Sequence, residues 1–288
     1  MLTPIEELPA VTLTETRAQG PGVVDLWCFF YEGLDDRALL DAYSALMTQE
    51  ERARHDRFYF ARDRLLFLAT RALVRTVLSN YAPLAPGAWR FAEGERGKPY
   101  IANDLPSAAI HFNLTNTPGL VVCAVSLVHP ALGVDAEYLH RVGETLSIAE
   151  HHFSPSEVRA LRALPPNRQR ERFFSYWTLK ESYIKARGLG LAIPLEQFSF
   201  FLEEGQGERE RESHIGGPSV RIEFDPRLGD DPSRWRFALL RGGANHLIAV
   251  GADTGGAALQ VRAVRYLPLR GIVPWHSAIA SPTGFGRS

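Results

Sequence analysis

The chain has 288 residues, 45% hydrophobic and 23% charged, and 32 Lys plus Arg stand against 33 Asp plus Glu for a formal net charge of −1. That balance excludes a globally basic nucleic-acid binder, and no run approaches the roughly 18 consecutive apolar residues of a membrane span, so neither nucleic acid nor membrane is expected as a partner. The length suits one large domain or two of about 100 to 150 residues. Among the 32 cations only Lys98, Lys180 and Lys185 are lysines. A lysine is a compact point charge that arginine does not replace, so these three positions invite attention.

The acidic N-terminal run MLTPIEELPAV lacks the pattern of a secretion signal. Val23 to Tyr31 is β-branched and aromatic and reads as a strand that carries Cys28. Asp35 to Met47 reads as a short amphipathic helix. From Thr48 to Tyr81 the apolar spacing near three and four predicts a strongly helical stretch, with Arg57, Arg64, Arg71 and Arg75 as a basic stripe on its other side. Trp89 to Ala92, Ala109 to Leu114 and Leu120 to Leu127 read as strands, with Thr115 to Gly119 as a five-residue hairpin loop and Cys123 in the third strand. Neither cysteine has zinc-site spacing, and a reducing cytoplasm is the expected location.

A second half repeats the scheme. A strand around Leu132 to Tyr138 leads to helices from Leu146 and Ser156, a long helix from about Asn167 to Arg187, and strands near Phe198, Val220 and Phe237. WRFALLRGGANHLIAVGA echoes IHFNLTNTPGLVVCAVS, and RFFSYWTLKESYIKARGL echoes RFYFARDRLLFLATRAL, which suggests an internal pseudo-repeat. Small residues, Pro and Gly accumulate from Gly255 onward. The expected division is therefore 1–130, 131–254 and a weakly structured extension at 255–288.

Two constellations carry chemistry. In Gly133-Val134-Asp135-Ala136-Glu137 the strand alternation puts Asp135 and Glu137 on one side, about 7 Å apart, a pair suited to a hard cation such as Mg²⁺. In Trp177-Thr178-Leu179-Lys180-Glu181-Ser182-Tyr183-Ile184-Lys185 the residues Trp177, Glu181 and Lys185 share a helix face, and Gly188 is placed to end the helix. Each alone is compatible with solvated surface charge. A carboxylate that completes a metal site beside ammonium groups that neutralise phosphate is, by contrast, equipment for phosphoryl or phosphodiester transfer.

The two constellations in this order, about 44 residues apart, resemble the motifs of the 4'-phosphopantetheinyl transferases, a G-V/I-D-x-E element followed by W-x-x-K-E-x-x-x-K. Gly97-Lys98-Pro99 is similar to the family's G-K-P element, and His111-Phe112-Asn113-Leu114-Thr115 to its F-N-[IL]-[ST]-H segment. The likeness runs from about Thr48 to Ala249 with the two-half layout of the longer, Sfp-type members. It implies an α+β fold of two pseudo-symmetric subdomains, each a small antiparallel sheet packed against a long helix, with coenzyme A in the cleft between them.

The reaction implied by the resemblance is Mg²⁺-dependent transfer of the 4'-phosphopantetheine arm from coenzyme A to a serine of an apo carrier protein. Asp135, Glu137 and Glu181 would hold the metal. Glu181 would serve as base, and Lys185, assisted by Lys180, would pair with the pyrophosphate. Arg54, Arg57, Arg96, Lys98, Thr115 and Asn116 would bind the rest of coenzyme A. Asn116 stands where many members have histidine, and it donates hydrogen bonds without positive charge. The carrier is expected to meet a local patch that includes Arg159 and Arg162, and the protein is expected to be a monomer. A catalytically inactive coenzyme A-binding regulator is the alternative that Asn116 leaves open.

Overall fold

The computed structural model describes residues 2–7, 19–105, 110–203 and 219–275. Strand β2 (Val23–Phe30) shows how the architecture arises. Trp27 and Phe29 point to one side into a core with helices, and Leu26 and Cys28 point to the other side into a second core. A strand buried on both faces reads as an unbroken apolar run, as this one does. The same holds for β6 (Leu120–Ser126), where Val121 and Cys123 face the helices and Leu120 and Val122 face away. Cys28 and Cys123 thus lie on opposite faces of their sheet, which explains why both are free thiols.

Strands β2 and β6 belong to a five-stranded sheet completed by β5 (His111–Thr117), β12 (Gln260–Leu267) and β13 (Gly271–Val273), in the order β13-β12-β2-β6-β5. Helices α1 (Arg37–Leu46), α2 (Gln49–Asp56) and α3 (Ala61–Leu78) follow β2, and α1 and α3 cover its outer face. A small hairpin, β3 (Phe91–Glu93) with β4 (Pro99–Ile101), leads into β5. The second sheet runs β1-β10-β11-β7, from β1 (Thr3–Pro4), β10 (Trp235–Gly242), β11 (His246–Asp253) and β7 (Leu132–Tyr138). Between β7 and β10 come α4 (Thr145–His152), α5 (Pro155–Arg162), α6 (Pro166–Arg187) and the hairpin of β8 (Phe198–Glu203) with β9 (Ser219–Phe224). The strand-helices-hairpin-hairpin succession occurs twice, so the pseudo-repeat is real, and the fold is α+β.

The sheets face each other across an apolar layer that includes Leu26, Val122, Val134, Leu240 and Ile248. Outer layers of helix complete each side, with α6 over the second sheet. Three expectations need correction. The stretch Thr48 to Tyr81 is two helices, because Thr48 caps α2 in a capping box with Glu51 and the chain then breaks at 57–60. Thr115 to Gly119 is not a loop, since β5 runs to Thr117 and the turn is Pro118-Gly119, with Gly119 at φ 83°. The supposed weak extension contains β12, which pairs in parallel with β2 from Gln260↔Val23 to Arg265↔Cys28, while residues 276–288 lie outside the described part. Since β1 joins the second sheet and β12 the first, the chain crosses between the halves at both ends.

Candidate active site

Edge strands β5 and β7 of the two sheets run beside each other, and side chains rather than a backbone ladder join them. Alternation puts Asn113 and Thr115 on the side of β5 that meets β7. Asn113 Oδ1 accepts from the Val134 amide at 2.9 Å, and Thr115 Oγ1 accepts from the Ala136 amide at 3.2 Å. Those two amides would otherwise be buried without partners. On the helix side of β7, Gly133 lets α6 approach: a Cβ there would stand 2.0 Å from the Ser182 carbonyl oxygen and 2.5 Å from the Ala186 nitrogen. This close packing sets α6 against Asp135.

Lys185 Nζ, on the last turn of α6, donates to Asp135 Oδ1 at 2.6 Å and to Thr115 Oγ1 at 3.2 Å. The Thr115 hydroxyl donates to the same Asp135 oxygen at 3.1 Å, so the hydroxyl's one donor and two acceptor positions are all used. Asp135 Oδ2 is buried and has no hydrogen-bond partner. Burial pushes the Asp135 carboxyl above the ordinary range, with Lys185 and Thr115 opposing. Glu137 rises from 4.5 to about 7, through burial first and the Asp135 charge second. Glu181, one turn before Lys185 on α6, is also raised, by burial and then by Asp135, with Lys185 opposing.

These groups border a cavity of about 740 Å³. Asp135, Glu137, Tyr138, Arg141 and Lys185 line one part, Thr115 to Pro118 another, and Arg62 and Leu66 of α3 a third. Among the described residues no three His, Cys, Asp or Glu side chains are gathered as a ready metal cluster, and the Lys185 ammonium sits on the near oxygen of Asp135. The donor chemistry nevertheless fits a hard cation. An orphaned carboxylate oxygen beside carboxyls that raise one another's pKa is the electrostatic condition that a divalent ion relieves.

Comparison with known proteins places the chain in a family. The model of the 4'-phosphopantetheinyl transferase superfamily matches residues 131–250, and that of the 4'-phosphopantetheinyl transferase N-terminal region matches residues 36–127. The chain is similar to the 4'-phosphopantetheinyl transferase HetI of Nostoc sp., 37% identical over 53% of this chain and 64% of that protein. It is also similar to a 4'-phosphopantetheinyl transferase of Bacillus subtilis, 37% identical over 57% of this chain and 70% of that one. Sfp of Bacillus subtilis strain 168 is 35% identical over 65% of this chain and 81% of its own length. The chain belongs to the 4'-phosphopantetheinyl transferase superfamily.

Within this member of the superfamily the expected site residues separate into two groups. Thr115, Asn116, Asp135, Glu137 and Lys185 line the cavity, and Glu181 is coupled to it through Asp135. Thr115 is committed to Asp135 and Lys185, and Asn116 is the exposed member of that strand. Lys180 is elsewhere: it is 1% exposed, pairs with Glu157 at 2.8 Å and donates to the carbonyls of Leu195 and Phe198. Lys98 also leaves the cavity, its Nζ held by the carbonyls of Leu132 at 3.0 Å and Ala186 at 3.2 Å. Arg54 lies over the Phe67 ring, Arg57 bonds back to Ala53, and Arg96 reaches the Leu189 carbonyl, so none of the three lines the cavity. Arg162 is neutralised by Glu150 at 2.5 Å.

Two cavity arginines were missed. Arg62 lies in the first turn of α3, one turn before Leu66, and Arg141 stands 3.8 Å from Glu137. The sequence offered one signal for Arg141, its place four residues beyond Glu137, and none for Arg62.

Proposed function

We propose that the protein transfers the 4'-phosphopantetheine arm of coenzyme A to a serine of an apo acyl or peptidyl carrier protein, with adenosine 3',5'-bisphosphate as the other product. The observation that carries this reading is the Lys185-Asp135-Thr115 network, which joins both halves at a cavity lined by Glu137 and three cations, Arg62, Arg141 and Lys185. In the reaction the serine Oγ forms a bond to the phosphorus that bears pantetheine. The bond from that phosphorus to the bridging oxygen of the diphosphate breaks, and the serine proton passes to Glu181 directly or through water. Lys185, Arg62 and Arg141 offset charge on the phosphate oxygens. Asp135, Glu137 and Glu181 would hold Mg²⁺, which when bound supplies Lewis-acid charge neutralisation at those oxygens.

The matched relatives bear transferase names, and they lend no support to the inactive-regulator alternative. Among the described residues no helix is long and apolar enough to cross a membrane. Two free buried thiols suit a reducing compartment, and a cytoplasmic monomer is part of the same reading. The test is incubation with coenzyme A, Mg²⁺ and an apo carrier, followed by intact-mass measurement of the carrier. A phosphopantetheine adduct is expected with Mg²⁺ and none with chelator, and absence of the adduct on several carriers defeats the proposal.

A further inference from the structure

The turn that joins β10 to β11 holds none of the residues assigned to chemistry, yet it touches two walls of the cavity. His246, the first residue of β11, is 5% exposed, and its Nε2 lies 2.8 Å from the carbonyl oxygen of Pro118. A carbonyl can only accept, so Nε2 carries the proton and donates. Pro118 is the first residue of the β5–β6 turn and lines the cavity beside Asn116 and Thr117. The imidazole also packs at 6.1 Å against the ring of Phe30 in the first sheet and at 5.4 Å against Tyr138, which lines the cavity from β7.

Its neighbour reinforces the same contact. The Asn245 carbonyl accepts from the Leu139 amide at 2.8 Å, and the Asn245 side chain meets His140 at 3.1 Å, directly after the part of β7 that carries Glu137. The backbone packs closely against His246 at Gly242 and at ordinary contact distance at Gly119. A Cβ at Gly242 would stand 3.2 Å from the Cβ of His246, and one at Gly119 would stand 3.8 Å from its Cε1. The second half therefore reaches the turn of the first-half hairpin through the buried His246 donor, beyond the contacts that Val134, Ala136 and Lys185 make along β5.

We infer that His246 is a positioning residue for coenzyme A: by donating to the Pro118 carbonyl it holds the β5–β6 turn at a fixed distance from β7 and so sets the width of the cavity. This inference rests on the proposed activity for its ligand, and the test separates the two. Coenzyme A affinity by calorimetry, and kcat and KM for transfer, are measured for the wild type, His246→Ala and His246→Gln. Glutamine keeps an amide donor where histidine has Nε2. Loss of one buried neutral hydrogen bond corresponds to up to about tenfold in affinity. Expected, then, is an about tenfold weaker coenzyme A affinity and higher KM for alanine with kcat within about twofold, and near-complete rescue by glutamine.

Equal affinity in all three proteins overturns the inference. So does equal loss in alanine and glutamine, or a fall confined to kcat. A wild type that binds coenzyme A but makes no product defeats the proposed activity alone, since the affinity comparison still decides the role of His246. Should the alanine chain fail to fold, His246→Asn takes its place, because its shorter amide falls short of Pro118, and the same weakening is expected.

Discussion

Lys185 and Asp135 meet at 2.6 Å across the junction of α6 and β7, and the other oxygen of Asp135 is buried without a partner. One carboxylate is thus half neutralised by the protein and half left for something else. A buried acceptor left unsatisfied costs about 1–3 kcal/mol, a cost that the proposed Mg²⁺ would remove. Gly133 and Thr115 exist in this picture to make the pair possible, one by letting α6 close on β7 and the other by bridging the ammonium and the carboxylate.

The first prediction concerns the kind of cation at position 185. A planar guanidinium is too broad to sit between Asp135 Oδ1 and Thr115 Oγ1 as the ammonium does. Lys185→Arg is expected to lower kcat/KM by about 10²- to 10³-fold, the scale of removing one preorganised charge donor, with little change in thermal midpoint. Lys98→Arg, away from the cavity, is expected to cost less than about tenfold on the same scale. Steady-state kinetics on both variants check this, and equal losses would contradict it.

Glu137 gives a prediction about pH and metal together. Its carboxyl is raised from 4.5 to about 7 in the folded protein. A raised folded pKa contributes stability that is present below pH 4.5 and lost as pH rises through about 7. In chelator, the thermal midpoint of wild type is therefore expected to fall relative to Glu137→Gln across that window. Added Mg²⁺ at pH 8 should raise the wild-type midpoint and leave the variant nearly unmoved. Parallel pH curves, or the same Mg²⁺ response in both proteins, would count against the ligand role.

Lys180 is predicted to matter for stability and not for coenzyme A. Its ammonium and the Glu157 carboxylate are both buried, and Glu157 also accepts from the amides of Ser154 and Phe200. Breaking such a pair by removing one partner costs about 3–5 kcal/mol, because the other charge is left uncompensated. Lys180→Met should lose that much in urea denaturation while the folded fraction keeps its KM for coenzyme A. The double variant Lys180→Met/Glu157→Gln should recover part of the loss.

The contrast between Lys180 and Lys185 also shows what was legible beforehand. Glu181 and Lys185 are one turn apart, and Asp135 and Glu137 alternate on a strand, so local spacing was enough to place them on shared faces. Five residues of helix separate Lys180 from Lys185 by about 140° around the axis, which already told them apart, although the motif reading grouped them. The seam between β5 and β7 was not legible, because Asn113 and Thr115 find their partners only when two sheet edges meet. Arg62 and Arg141 reach one cavity from different halves for the same reason. The role of residues 260–267 was hidden because their partner strand lies near the other end of the chain.

That distant pairing leads to the last prediction. Asp25 on β2 is fully buried, and Arg262 on β12 binds its Oδ1 through Nε at 2.7 Å and Nη2 at 2.6 Å, while Tyr81 donates to the other oxygen at 2.7 Å. Burial raises the Asp25 carboxyl, with Tyr81 and Arg262 opposing. Without the guanidinium its pKa rises further, so the cost of Arg262→Met is small where Asp25 is protonated and grows as pH rises. Urea denaturation should show a modest loss at pH near 4 and about 3–5 kcal/mol at pH 7, the scale of a broken buried pair. Asp25→Asn in the same chain should remove most of the pH dependence. A pH-independent loss would mean that Arg262 acts by packing, and unchanged stability would mean that β12 docks without the pair. Deleting residues 255–288 removes β12 altogether and is expected to abolish cooperative unfolding, since β2 then loses both its parallel neighbour and the cation on its buried carboxylate.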